Sequence, residues 1–128
     1  MRKEDIQSVI RYMKVRKSYR EYLLLRLIVE TDINLMKLLS LKVGDVIGKT
    51  TYVDEKGVSY HIPKELANEI YTYCEFSQGD HYLFTSKNLK PLLRGQVWVM
   101  FKNTFSEFGF EKEYESIQQL RDIYKEGE

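Results

Sequence analysis

The hydrophobic pattern of this chain changes period once and then changes back, and that switch bounds what it can fold into. Ile6, Val9, Ile10 and Met13 recur at helical spacing behind Glu4 and Asp5, which predicts a first helix over roughly residues 3–15. Ser18 is placed to cap a second, strongly apolar helix from about Tyr19 to Glu30. Thr31 or Asp32 is expected to cap a third, carrying Leu35, Leu38, Leu39 and Leu41 and ending near Gly44. The period then becomes two. Thr50 to Val53 are β-formers, Asp54 to Gly57 read as a turn, and Val58, Tyr60 and Ile62 alternate with Ser59 and His61. That is a hairpin, with Lys56 near its turn and a register that the sequence leaves open.

Helical spacing resumes after Pro63. A fourth helix carries Leu66, Ile70, Tyr73 and Cys74 on one face, and Ser77 to Asp80 break it. Tyr82 to Phe84 are a short extended segment, and Lys87 to Leu92 a polar loop. A fifth helix is expected over Gln96 to Phe108, stopped by Gly109, and a last one carries Ile117, Leu120 and Tyr124. The expectation is a mostly helical α+β domain spanning residues 1–128, with a small antiparallel sheet built on the hairpin.

Composition removes several function classes. The richest apolar stretch, Tyr22 to Val29, is interrupted by Arg26 and is too short to span a bilayer, so no membrane association is expected. No apolar region follows Met1-Arg2-Lys3-Glu4-Asp5, so no secretory signal is expected. Cys74 is the only cysteine, which excludes a disulfide framework and a cysteine-based zinc site and makes a reducing cytoplasm the simplest home. No metal and no cofactor are expected. The net charge of +1 conceals an asymmetry: residues 1–64 hold 13 Lys and Arg against 8 Asp and Glu, whereas residues 65–128 hold 7 against 11. A locally basic face can meet phosphate even in a nearly neutral chain. The bland reading of a run such as Arg11 to Arg20 is a solvated helix face.

Several segments, in order, resemble the catalytic domain of the tyrosine recombinase (phage integrase) family. Thr31 to Val46, behind the apolar helix at Tyr22, is similar to the family's "TGxRxxELLxLxxxDI". The hairpin with Lys56 and His61-Ile62-Pro63 looks like the family's lysine turn and following "vPl". His81 to Ser86 resembles "yLFxs", Lys90 to Trp98 resembles "xPlsrxqvwr", and Ser116 to Tyr124 resembles the helix bearing "HxLRxxf". The resemblance covers nearly the whole chain. It implies the family's fold and its substrate, duplex DNA.

The resemblance also implies where the chemistry should sit. In the family a tyrosine attacks a phosphodiester, two arginines hold the non-bridging oxygens, a hairpin lysine protonates the leaving oxygen, and histidines assist. The first arginine falls on Asn34, which carries no charge and has no guanidinium fork. The preceding glycine falls on Asp32 and the acidic residue of that helix on Lys37. Lys56 stands for the hairpin lysine, Gln118 for the histidine of "HxxR", and Arg121 for the second arginine. The nucleophilic tyrosine and the later histidine are expected beyond Glu128, and Tyr124 falls on a core position. No catalytic set is intact, so the expectation is a relative that has lost strand cleavage. Met1 falls almost where the catalytic domain begins, so the family's preceding core-binding domain is not expected within these residues.

The expected partner is double-stranded DNA, bound weakly through its phosphates by Lys42, Lys56, Lys87, Lys90, Arg94 and Arg121. The alternatives are a remnant or protein-interaction module that no longer meets DNA, and a split-gene piece acting with another chain. Each residue also has a plain alternative. Arg121 would pair with a glutamate of Glu111 to Glu115, Lys56 would idle at its turn, and Asn34 would serve local backbone hydrogen bonds.

Overall fold

A computed structural model describes residues 1–127. The chain is mostly helical with one two-stranded antiparallel sheet, the coarse class expected from the sequence. Helix α1 (Lys3–Arg16) buries Ile6, Val9, Ile10 and Met13, the stripe that its spacing dictates. Helix α2 (Tyr19–Glu30) is capped by Ser18, whose Oγ accepts the Glu21 N–H at 3.1 Å. It buries Tyr22, Leu23, Leu24, Leu25, Leu27, Ile28 and Val29, so apolar side chains surround most of its circumference. Each such side chain taken from water contributes about 1.5–3 kcal/mol, which makes α2 the axis of the core. Arg26 breaks the apolar run where it can be paired. It grips Glu30 at 2.5 and 2.9 Å and donates to the Tyr22 hydroxyl at 3.1 Å.

The third helix departs from expectation at both ends. Neither Thr31 nor Asp32 caps it. The Thr31 N–H and hydroxyl both turn back to the Leu27 carbonyl, so Thr31 closes α2 instead. Asn34 is the cap: its Oδ1 accepts the Lys37 N–H at 2.9 Å and starts α3 (Leu35–Ser40). Gly44 does not end this helix. It lies in a separate one-turn helix, α4 (Val43–Val46), where its N–H donates to Gly79 O at 2.9 Å. A Cβ there would stand 3.1 Å from that oxygen, so a larger residue would press the two backbone segments apart.

Strands β1 (Thr51–Val53) and β2 (Ser59–His61) pair with Thr51 opposite His61 and Tyr52 opposite Tyr60. The two tyrosine rings stack across the strands, 6.0 Å apart. Asp54 closes the turn by accepting the Lys56 and Val58 N–H groups, each at 2.9 Å, and Gly57 supplies the required positive φ of 81°. Helix α5 (Lys64–Cys74) buries Leu66, Ala67, Ile70 and Cys74. The segment after it runs extended beside residues 41–43, with Leu83 N–H on Leu41 O and Val43 N–H on His81 O, both at 2.8 Å. Helix α6 (Arg94–Ser106) begins and ends two residues earlier than expected, and Gly109, at φ 76°, turns the chain out of it. Helix α7 (Ile117–Glu126) is capped by Ser116 and packs on α1 and α2. Tyr124 is buried there, as a core position should be.

Candidate functional site

The first turns of α6 and α7 meet the start of α3 around one cavity of about 560 Å³. Its walls include Asn34 and Met36 from α3, Arg94 and Trp98 from α6, and Gln118 and Arg121 from α7. Four residues singled out from the sequence, Asn34, Arg94, Gln118 and Arg121, therefore share one space although they are spread over most of the chain. Arg94, Arg121 and Glu115 are the charged residues of its walls. The positive ends of the α6 and α7 dipoles lie beside them.

Arg121 is tied into the fold. Its side chain is buried, and Nε donates to Ile28 O at 2.5 Å. One terminal nitrogen reaches Ile33 O and the other donates to Gln118 Oε1 at 3.3 Å. Ile28 lies in the last turn of α2, where carbonyls lack helical partners, so Arg121 caps that helix end from α7. No glutamate of residues 111–115 pairs with it, contrary to one expectation; the loop is braced by Lys102 Nζ on Glu111 O and Tyr114 O. Burial lowers the Arg121 pKa from its ordinary value, opposed by the charges of Asp32 and Asp122. Gln118 is committed locally as well, donating to Asp122 Oδ1 at 3.1 Å.

The remaining basic candidates lie outside this cavity. Lys87 lines a second one of about 810 Å³, together with Arg20, Ser86, Leu92, Gln96, Val99 and Met100. Gly95 belongs to the walls of both, so the two spaces adjoin where α6 begins. Lys90 is exposed on the loop beside the second cavity. Lys56 is exposed at the hairpin turn, and Lys42, at the start of α4, holds its ammonium 5.6 Å from the Tyr82 ring. Neither lines either of these two cavities. Asp32 is exposed and paired with Lys125, which lowers its pKa. Lys37 pins α3 to the hairpin turn through Asp54 at 3.2 Å and Glu55 at 3.3 Å.

Sequence reasoning missed Arg20 and Trp98. Arg20 belongs to a run read as a solvated face, yet its Nη1 donates to Thr85 O at 2.6 Å. Nothing local to its sequence signals that partner. Among the described residues no group of three or more His, Cys, Asp or Glu side chains could hold a metal ion, and no helix is long and apolar enough to cross a membrane. No family model, no curated protein and no solved structure matches this chain.

Proposed function

We propose that this chain is a tyrosine-recombinase-like domain that holds duplex DNA by its phosphates without cleaving it. One observation carries the reading. The positions that the resemblance assigns to a single phosphate-handling centre, Asn34, Gln118 and Arg121, line one cavity together with Arg94. The lost chemistry follows from the residues themselves. Asn34 offers no guanidinium to the non-bridging oxygens, and Gln118 cannot exchange a proton near neutral pH. Arg94, Lys87 and Lys90 supply exposed positive charge beside the cavities. A cytoplasmic location goes with this reading and suits the lone, buried Cys74.

Fluorescence anisotropy with a random-sequence duplex over a range of salt tests it. Binding is expected to be weak and to fall steeply with salt, with a log–log slope of about −0.9 per phosphate contact. Replacing Lys90 and Arg94 by alanine should flatten the slope by about one unit per lost contact. No covalent adduct is expected on a nicked suicide substrate, and a phosphotyrosine link would overturn the non-cleaving part. A second reading, a protein-interaction module, is favoured by the exposed apolar side chains of Met36 and Val99 on the cavity walls. It takes over if no DNA binding is seen at low salt.

A further inference from the structure

Between Asp80 and Glu107 the chain carries no acidic residue, but it carries Lys87, Lys90, Arg94 and Lys102. Within that stretch a short loop is held stiffly. Leu92 N–H donates to Phe84 O at 3.1 Å and Ser86 N–H to Lys90 O at 2.7 Å, and Thr85 bridges Pro91. Phe84 and Leu92 anchor its base in the core. At the tip, Lys90 N–H turns back to Lys87 O, and both central residues lie in the left-handed region, Asn88 at φ 61° and Leu89 at φ 60°. Asparagine tolerates that conformation, whereas in leucine the Cβ crowds the carbonyl, and a glycine is the usual occupant. Burial does not offset the strain, because Leu89 is 58% exposed. The loop therefore holds a large apolar side chain outward, against both its backbone preference and water, with a lysine on either side.

We propose that Leu89 is a wedge that enters the minor groove of duplex DNA and partly unstacks one base step, while Lys87 and Lys90 reach the flanking phosphates. This rests on the reading that the chain meets DNA. Leucine is among the side chains that proteins insert between base steps, and the exposed Lys87 and Lys90 on the same loop suit the phosphates that flank such a step. The carboxylate-free stretch argues for a polyanion as the occupant rather than for an apolar protein face.

The test uses the full chain and a duplex with 2-aminopurine at T–A steps, which unstack most readily. Binding is followed by anisotropy and unstacking by the rise in 2-aminopurine fluorescence. The wild-type chain should bind and raise the fluorescence. Leu89→Gly, which suits the left-handed backbone, should bind within about tenfold of wild type, because lost apolar burial is offset by avoided unstacking, yet give no rise. Leu89→Met should restore the rise. Binding without any rise by wild type overturns the wedge and leaves the DNA reading intact. Absence of binding overturns both. Leu89-dependent binding to anionic phosphatidylserine vesicles, with no unstacking of DNA, also overturns the wedge in favour of a lipid surface.

Discussion

Replacing Arg121 should cost the fold more than any other change at the candidate site. Arg121 is 6% exposed, and its guanidinium donates to two main-chain carbonyls, Ile28 O at the end of α2 and Ile33 O in the link to α3. Arg121→Met keeps most of the apolar stem and removes all three hydrogen bonds. A buried acceptor left without a partner costs about 1–3 kcal/mol, and two are left here, so the expected loss is about 2–6 kcal/mol. For a chain of this size, at about 3–5 °C per kcal/mol, that lowers the melting temperature by roughly 6–30 °C. Arg121→Lys keeps a charge but cannot fork to both carbonyls, so it should fall between the two. Urea denaturation gives the free energies directly. A loss below about 1 kcal/mol for Arg121→Met would show that water replaces the guanidinium at those carbonyls and that Arg121 does not cap α2.

Two further outcomes follow from buried or paired groups. The Asp54 carboxyl is held below the usual carboxylate range by the Val58 N–H, the Lys37 ammonium and the Lys56 N–H, against desolvation. A depressed folded pKa stabilises above the unfolded value of about 4, and the contribution is lost as pH falls through the folded value, so the melting-temperature gap between wild type and Asp54→Asn should be full at about pH 6 and narrow progressively as the pH is taken below about 4. A gap that stays constant over that range would refute it. Burial raises the Cys74 thiol to about 11, so iodoacetamide at pH 8 should leave it largely unmodified until the chain is unfolded in urea; modification of the folded chain at the rate of an exposed thiol would contradict the burial.

Local signals were read correctly where one helix or one turn decides them. The stripe of α1, the Ser18 cap, the Asp54–Gly57 turn and the stop at Gly109 each depend on residues within a few positions of one another. The errors lie where a distant partner decides. Thr31 resembles a cap for α3, but its hydroxyl closes α2. Gly44 resembles a helix stop, but it is small because Gly79 lies against it. Asp32 is taken by Lys125 and Arg121 by carbonyls about ninety residues away, pairings that no local pattern encodes. Asn34, Gln118 and Arg121 line one cavity, but spacing along the chain gave no reason to join them.

The hydrogen bonds at those three positions bear on what the cavity can still do. Asn34 Oδ1 accepts the Lys37 N–H, a capping role that arginine, with no acceptor, cannot fill. Gln118 is engaged by Arg121 and Asp122, and Arg121 by the backbone. An arginine at position 121 would be kept for stability alone, so its presence does not argue for phosphate chemistry. Arg94 differs: it is exposed, opens α6 and faces the same space beside Gly95. If the DNA reading holds, Arg94→Ala should weaken duplex binding about 5–150-fold, as the loss of one charge-assisted contact of about 1–3 kcal/mol requires, with the melting temperature nearly unchanged. Arg121→Met should instead lower the melting temperature, and its effect on binding should shrink when measured at temperatures where the variant is fully folded. Equal affinities for wild type and Arg94→Ala at low salt would remove the cavity from the DNA interface and leave only the Lys87–Lys90 loop to account for any binding.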